Sequence, residues 1–319
     1  MQQPSQTNNY IELKIRRDLG EIITDYFRFL KQNLKKFTNI FLSYNGIFLI
    51  GLLVVSYLLV SGFIGMITYS QNFQYLEGAE RNMESTYILY IGIGSILFFF
   101  LFIAIAVMNY SLAGAYMIKY DQLEGNNFEK KQVWAFFKQH FGKIFLFTLL
   151  MVLIFIGVYI IGIMMLFIPI AGILVFYLLL FAAFAWFGVS FFAMLYDNKG
   201  VTEAFSEGWR LIKSNFWKSV GVNFILTLLN FILSMTALFV PGIIISIYSY
   251  HVVENDVNIS ESIVSTVIYT LGTAVYLIFM VYGQCLSQFV NGMLYFSLHE
   301  QAYNTHTRAK IEQIGKVEL

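Results

Sequence analysis

Charged residues are scarce in this sequence, and the uncharged stretches between them are long. Asp, Glu, Lys and Arg make up 12% of the 319 residues, about half the ~25% share of a typical soluble domain. A spanning helix needs ~20 apolar residues, and a charge at the bilayer centre is costly. Five runs without a charged residue cover 200 residues together, and they predict membrane spans: 37–76, 85–118, 144–196, 219–253 and 262–299.

Cysteine and alternating polarity are also scarce. The only cysteine, Cys285, has no second cysteine in the chain to pair with, so no disulfide is expected within it. Membrane barrel strands alternate polar and apolar residues over ~10 positions, whereas these runs are continuous, so the sequence predicts helices.

The net charge of +1 argues against a nucleic-acid partner. The first 36 residues are polar and contain no short apolar stretch, so we expect no signal peptide.

Run lengths predict six spans. The run 144–196 holds two of them, joined by a hairpin tip at Phe167–Gly172 that contains Pro169. Residues 241–253 begin with Pro241 and are apolar but too short to cross ~30 Å. Either the fifth helix continues past a kink, or this segment lies along the outer interface, which its tyrosines favour. The predicted spans are about 44–68, 88–114, 145–166, 172–195, 219–240 and 264–292.

Basic residues predict the orientation of these spans. Lys and Arg concentrate on the cytoplasmic side of a membrane. Of the 20 basic residues, only Arg81 falls in an outer segment, near the acids Glu77, Glu80 and Glu84. The other 19 fall in the segments that are inside if the N-terminus is inside, which are 1–36, 119–143, 197–218 and 299–319. Both termini are therefore predicted to be cytoplasmic.

A six-residue pattern recurs three times, each time directly before an outward-going span. We name the copies lysine motif 1 (KQNLKK, Lys31–Lys36), lysine motif 2 (KQHFGK, Lys138–Lys143) and lysine motif 3 (KSNFWK, Lys213–Lys218). An amphipathic stretch precedes or overlaps each motif. The predicted apolar faces are Ile23, Tyr26, Phe27, Leu30, Leu34 and Phe37; then Val133, Phe136, Phe137 and Phe141; then Val201, Ala204, Phe205 and Ile212.

Helix-start signals precede each amphipathic stretch. Asp18 with Glu21, and Asn126 with Glu129, have the spacing of a capping box, and Thr202 is the predicted cap of the third helix. We therefore predict an all-α integral membrane protein. Its single membrane domain, 1–319, would hold six transmembrane helices in three pseudo-repeats of a cytoplasmic amphipathic helix plus a helical hairpin. The repeat units would be about 18–118, 126–197 and 201–299, followed by a cytoplasmic tail at 300–319, loose or helical from Ala309.

The basic residues at the membrane surface have two interpretations. They are Lys31, Lys35, Lys36, Lys138, Lys143, Lys213 and Lys218. Such lysines bind anionic lipid or gate an inner mouth, or else they only anchor the spans according to the positive-inside rule. In either case we expect Lys35, Lys143 and Lys218 to lie at one depth, with the phenylalanine-rich faces at the headgroup boundary.

The stretch Ala204–Trp217, AFSEGWRLIKSNFW, resembles a bacterial membrane family. That family includes the membrane domain of some glycerophosphodiester phosphodiesterases and several uncharacterised inner-membrane proteins. The resembling features are the Ala-apolar start, a Trp five residues on, and Lys-x-Asn before an apolar span; Gly208 stands where the family more often has Ser. The resemblance implies a location in the bacterial cytoplasmic membrane. The phosphodiesterase activity belongs to a separate soluble domain and is not implied here.

Polar residues within the spans are uncharged amides. Gln284, Gln288 and Asn291 share one face of the sixth span; Asn223 and Asn230 lie on the fifth and Asn109 on the second. These amides either line a hydrophilic path or join helices through hydrogen bonds. The sequence contains no catalytic, phosphate-binding or metal-binding motif, and His299 and His306 are two helical turns apart, too far to share one zinc ion. No cofactor and no metal site are therefore expected.

These features predict a non-catalytic scaffold or assembly component of a membrane complex. The alternative is a passive permease or a lipid-handling protein with an amide-lined interior. The expected partners are membrane lipids and other membrane proteins. A continuous cavity at Gln284, Gln288 and Asn223 would favour the permease, and a filled interior with an apolar groove on its flank would favour the scaffold.

Overall fold

The computed structural model describes residues 10–72, 81–255, 257, 259 and 262–317. Its eight described helices are α1 (Leu19–Asn72), α2 (Arg81–Gln122), α3 (Lys130–Met165), α4 (Ala171–Tyr196), α5 (Val201–Ser214), α6 (Phe216–Glu254), α7 (Ile263–Tyr303) and α8 (Thr305–Val317). No strand occurs in these ranges, and the all-α prediction is confirmed. The acids Glu77, Glu80, Asp256 and Glu261 of the predicted outer loops lie outside the described residues.

Six helices are long and apolar enough to span a membrane, which confirms the predicted multi-pass character. They are α1, α2, α3, α4, α6 and α7. The separate surface helices predicted before the first and third spans are wrong, because α1 and α3 each run unbroken through the lysine motif into the span. No proline interrupts either stretch, so nothing ends the helix there. Only the third copy is split, at Asn215, between α5 and α6.

Two of the three predicted helix caps are corrected by the structure. The pair Asp18 and Glu21 is confirmed, since the backbone N–H of each donates to the other's side chain at 2.8 Å. In the second copy the cap is Glu129 rather than Asn126, and the Glu129 N–H donates to the Gln132 side chain. In the third copy the cap is Gly200 rather than Thr202, with its N–H bound by Glu203 at 3.1 Å. In all three copies the third helical residue therefore binds the cap backbone.

The hairpin tip between α3 and α4 lies where the sequence predicts it. The α3 helix ends at Met165 and α4 begins at Ala171, with Pro169 between them. Ile170 adopts a φ of 59°, in the left-handed region. A Cβ atom on the next-but-one residue, Gly172, would lie 1.9 Å from the Met165 carbonyl oxygen, so the turn requires glycine at that position.

Residues 241–253 belong to α6, and the predicted interfacial placement is wrong. The helix continues through Pro241 to Glu254. Hydroxyl contacts hold this part of α6 against the start of α7, where the Tyr248 hydroxyl lies 2.8 Å from Ser265 Oγ. Ser249 Oγ lies at the same distance from the Tyr269 hydroxyl. A transmembrane helix tolerates an internal proline when neighbouring groups stabilise the chain beyond it.

The chain forms two compact units that divide several helices. Unit 1 comprises Met1–Phe41, Asn109–Leu228 and Gln284–Leu319, and unit 2 comprises Leu42–Met108 and Leu229–Gly283. Unit 1 contains all three lysine motifs and the whole of α3, α4 and α5. Whether the three predicted repeat units superpose stays a prediction.

The buried face of α1 in unit 1 differs from the predicted one. Tyr26 and Phe37 are buried as predicted, but Phe27 and Leu34 are 48% and 40% exposed. The actual buried residues are Ile22, Tyr26, Phe29, Asn33 and Phe37. The face turns this way because Asn33 bonds the buried hydroxyl of Tyr116 at 2.8 Å, which places a polar residue inside an otherwise apolar stripe. In the second motif Phe137 is buried and Phe141 is 48% exposed.

Candidate functional site

Four of the predicted interior amides in unit 1 bond to each other in pairs. Asn109 Nδ2 donates to Gln284 Oε1 at 3.2 Å and thereby joins α2 to α7. Asn223 Nδ2 donates to Asn291 Oδ1 at 3.2 Å and joins α6 to α7. The Asn291 amide also fills the notch at Gly188 on α4, where an added Cβ would lie 2.3 Å from it. The donor and acceptor atoms that form these two bonds are therefore already used between helices, whereas a polar path would have to offer them to its substrate.

Gln288 and Asn45 each have one or more amide atoms without a hydrogen-bond partner among the described residues. Gln288 is 2% exposed, and its Oε1 accepts no hydrogen bond. In unit 2, Asn45 is fully buried and neither amide atom has a partner, a feature that sequence reasoning missed. The remaining predicted candidate, Asn230, is half-buried in unit 2, beside Gly283. The structure therefore gathers five of the six predicted amides in unit 1 and leaves Asn230 apart.

Aromatic rings fill the space around these amides in unit 1. Phe289 on α7 lies between Phe29 and Phe37 of α1, with ring centroids 5.2 and 4.7 Å away. A second cluster stacks Phe147 on Phe205 at 4.6 Å. Phe29, Phe37, Phe147 and Phe289 are all at most 1% exposed. Rings at these distances are in van der Waals contact, so these parts of the core are closely packed.

The last lysine of each motif donates to a segment that leads into a helix of unit 1. Lys36 Nζ donates to the Asn126 carbonyl oxygen, ahead of α3, and lies 4.3 Å from the Phe128 ring centroid. Lys143 Nζ donates to Asn198 Oδ1 at 2.8 Å, ahead of α5. Lys218 Nζ donates to the Arg17 carbonyl oxygen at 3.0 Å, ahead of α1.

These three contacts, which we name the lysine clasps, follow a cyclic order. Motif 1 holds the start of the second copy, motif 2 the start of the third, and motif 3 the start of the first. The position equivalent to Lys143 and Lys218 is Lys36, not Lys35 as predicted. The first lysines of the motifs, Lys31, Lys138 and Lys213, are exposed, as is Lys35.

The acceptor of the third clasp belongs to a non-helical segment, Tyr10–Asp18, which we name the N-terminal strap. Arg17 is 4% exposed, and its guanidinium donates to Asp25 at 2.8 Å and to the Leu13 carbonyl oxygen at 2.8 Å. The Arg17 backbone N–H donates to Ser297 Oγ on α7. Leu13 is fully buried. The strap is thus an integral part of the core of unit 1.

Ion pairs also hold the strap at Glu12 and Lys14. Lys14 Nζ lies 2.7 Å from Asp121 Oδ2. Burial alone would lower the pKa of Lys14, but the hydrogen bond that it donates to Asp121, the charge of that carboxylate and the interaction with Tyr196 together outweigh burial, and the pKa is raised. Glu12 pairs with His306 and with Lys310 on α8. Burial would raise the pKa of the Glu12 carboxyl, but the hydrogen bonds from Lys310 and His306 prevail and lower it.

The three helices that return to the motif end of unit 1 finish in related sequences. They are YMIKYD on α2, FAMLYD on α4, continuing to its C-cap, and YFSLHE on α7. The first residues of these sequences, Tyr116, Phe192 and Tyr295, are all fully buried. The final acids are all bonded: Asp121 by Lys14, Asp197 by Lys199 at 3.5 Å, and Glu300 by the first residues of α8.

An open apolar groove lies in unit 2 between α1 and α7. Its volume is about 500 Å³, and hydroxyl groups of Ser262, Thr266 and Thr270 recur along its α7 side at four-residue spacing. Thr270 is 7% exposed, and its Oγ1 has no hydrogen-bond partner among the described residues. The remaining lining residues are Leu53, Val54, Tyr57, Ile263, Val267 and Leu271.

Several of these contacts could not be predicted from the sequence, because no residue pattern indicates them. The clasp acceptors include two backbone carbonyl oxygens, and the strap residues look like an ordinary polar terminus. Glu207 on α5 shows the same difficulty, since it is 9% exposed and binds both Arg210 and the Tyr303 hydroxyl. Comparisons with protein-family models, curated proteins and solved structures find no match for this chain.

Proposed function

We propose that this protein is a non-catalytic scaffold or assembly component of a complex in the bacterial cytoplasmic membrane, with both termini in the cytoplasm. The observation that carries the proposal is the pairing of the amides. Asn109 bonds Gln284, and Asn223 bonds Asn291, across helices of unit 1, whose core also contains closely packed aromatic rings. Amides used in this way act as joints between helices rather than as a lining for a moving substrate.

The groove in unit 2 supports a role in assembly. Its apolar walls and the Ser262, Thr266 and Thr270 series combine the small side chains and hydroxyl groups that let one transmembrane helix approach another closely. We therefore expect the partner to be a transmembrane helix of another membrane protein.

Site-specific photo-crosslinking in living cells tests this proposal. A photoreactive amino acid replaces Leu271 in the groove, and a matched variant carries it at Ile161 on α3; these residues are 51% and 52% exposed. We expect one protein adduct of defined mass from position 271 and none from position 161. Lipid adducts alone at position 271 would favour the lipid-handling alternative, and equal adducts at both positions would contradict a specific partner.

Cysteine labelling tests the proposed orientation. The reactive residue is placed at Asn255 or at Asn126, both exposed, in a chain whose buried Cys285 is replaced by alanine. An impermeant maleimide should label position 255 in intact cells and position 126 only after the membrane is opened. This expectation follows from the 19 basic residues of the predicted inner segments. Labelling of both positions in intact cells would contradict the six-span topology.

A further inference from the structure

The lysine motifs use their first and last lysines differently. The last lysines, Lys36, Lys143 and Lys218, are half-buried and form the lysine clasps. The first lysines, Lys31, Lys138 and Lys213, are exposed, and none of them has a hydrogen bond or ion pair to a described residue. The clasps account for three of these six lysines and leave three similar cations, one in each motif, without a role in the fold of unit 1.

A large exposed apolar side chain follows each of these cations within three or four residues. It is Leu34 after Lys31, Phe141 after Lys138 and Trp217 after Lys213. These apolar side chains are 40%, 48% and 74% exposed. In motifs 1 and 2 the two residues are three apart on one helix, α1 or α3, so the cation lies beside the apolar group. In motif 3 the helix breaks at Asn215, so Lys213 is at the end of α5 and Trp217 at the start of α6.

The position of the motifs in the chain places these pairs at the edge of the apolar spans. The charge-free runs that begin at residues 37, 144 and 219 each start directly after the last residue of a motif. An exposed lysine one to two turns ahead of such a run lies at the depth of lipid headgroups if the run lies in hydrocarbon. The neighbouring apolar side chain then lies at the boundary with the acyl chains.

We propose that Lys31, Lys138 and Lys213, each with the apolar side chain that follows it, form three contact sites for the phosphate headgroups of anionic phospholipids. The charges are complementary, and each site joins a phosphate-binding cation to a side chain suited to the acyl boundary. A lysine clasp anchors each motif five residues after its first lysine. This inference does not depend on the scaffold proposal.

Lipid titration of the full chain in detergent tests the proposal. The rise in melting temperature is followed as phosphatidylglycerol or phosphatidylcholine is added. We expect phosphatidylglycerol to stabilise the protein at lower concentration. A lysine near an anionic surface contributes ~1 kcal/mol, so replacing Lys31, Lys138 or Lys213 singly by Gln should weaken the apparent affinity for phosphatidylglycerol by about fivefold.

A matched variant separates specific sites from overall charge. The test variant Lys31→Gln, Lys138→Gln, Lys213→Gln and the control Lys35→Gln, Lys131→Gln, Arg308→Gln each remove three exposed positive charges. We expect only the test variant to lose the preference for phosphatidylglycerol. Equal loss in both variants, or no loss in either, would overturn the proposal. Should the triple variant fail to fold, the three single variants give the same comparison.

Two further measurements check the source of the phosphate and the site itself. Inorganic phosphate and glycerol phosphate should not reproduce the stabilisation; if they did, the sites would bind free phosphate rather than lipid. In vesicles, brominated phosphatidylglycerol should quench the fluorescence of Trp217 more than brominated phosphatidylcholine does, and Lys213→Gln should remove the difference. The Trp217 signal is obtained by subtracting the fluorescence of Trp217→Phe. Equal quenching by both lipids would contradict a headgroup contact at Lys213.

Discussion

In unit 1 the helices are joined by side-chain hydrogen bonds and ion pairs, whereas in unit 2 helices α1 and α2 meet through glycines. All ion pairs between described residues belong to unit 1. In unit 2, a Cβ on Gly62 would lie 3.0 Å from the Ile91 backbone nitrogen, and one on Gly94 would lie 3.2 Å from Leu58 Cβ. Where lipid is as apolar as the side chains, close approach and dispersion replace the hydrophobic effect as the source of attraction.

The largest expected effect comes from a rigid close contact in unit 1. A Cβ on Gly208 would lie 2.8 Å from the Ser190 backbone, which cannot move aside, so Gly208→Ala should cost about 1–3 kcal/mol of stability. In unit 2, Gly65→Ala meets the ring of Tyr87, which can rotate, and should cost less. Melting temperatures in detergent measure both. The control Gly157→Ala has open space around the added Cβ and should be neutral or stabilising. An equal loss of stability in all three variants would show that the loss does not come from the close contacts.

The lysine clasps should give the next largest effect, and a local one. Lys218→Met removes the ammonium that bonds the Arg17 carbonyl, a hydrogen bond of a charged donor worth about 1.5–3 kcal/mol. Hydrogen exchange measured by mass spectrometry should then accelerate in the N-terminal strap. Lys36→Met should instead accelerate exchange around Asn126. The exposed Lys31→Met serves as the control, and uniform acceleration in every variant would contradict separate clasps.

Smaller effects are expected from the uncharged hydrogen bonds, and they allow the two units to be compared directly. A double-mutant cycle on Asn223 and Asn291 in unit 1 should give a coupling energy of about 0.6 kcal/mol. The cycle on Tyr248 and Ser265 in unit 2 should give a similar value. Free energies of unfolding in mixed detergent and denaturant measure both. A coupling energy of several kcal/mol in unit 1 alone would mean that its amides form a cooperative network.

The smallest expected effect is the pH dependence of the N-terminal strap. Because the folded pKa of Glu12 lies below its unfolded value of ~4.3, its contribution to stability is present above that value. The contribution is lost as the pH falls through the folded pKa. The wild type should therefore melt at a higher temperature than Glu12→Gln at pH 7. The difference between the two melting temperatures should shrink as the pH falls below about 4.5. A difference that is constant with pH would contradict the ion pairs with His306 and Lys310.

The spans were predictable from the sequence because the exclusion of charge from hydrocarbon acts on composition alone. The continuation of α6 past Pro241 was not predictable, since it depends on Tyr248 and Ser249 meeting hydroxyl groups of α7. The unbroken α1 was missed for a related reason. A change from polar to apolar residues after Lys36 marks a change of solvent, and it does not by itself end a helix.

For the candidate site, the sequence predicted which residues are polar and buried but not their partners. The spacing of Gln284, Gln288 and Asn291 gives a shared helix face, and the same face suits a path or a joint. Only the meeting with Asn109 and Asn223 from other helices distinguishes the two. The sequence also could not predict which lysines form clasps and which stay exposed. Motif 1 carries two adjacent lysines of equal chemistry, Lys35 and Lys36, and only Lys36 forms a clasp.

The cyclic order of the lysine clasps has a consequence for biosynthesis. The third clasp joins Arg17 to Lys218 across 201 positions, and the strap also binds Ser297, which lies 280 positions later. At a ribosomal rate of ~5–20 residues per second, the strap waits roughly 15–55 s for Ser297 to be made. During that interval the strap can meet Asp121 on α2, but it lacks its contact with α7, and Leu13 is fully buried only in the complete fold. Translation speed and membrane insertion of the last helix pair therefore set how long a nascent chain stays exposed to proteases and chaperones.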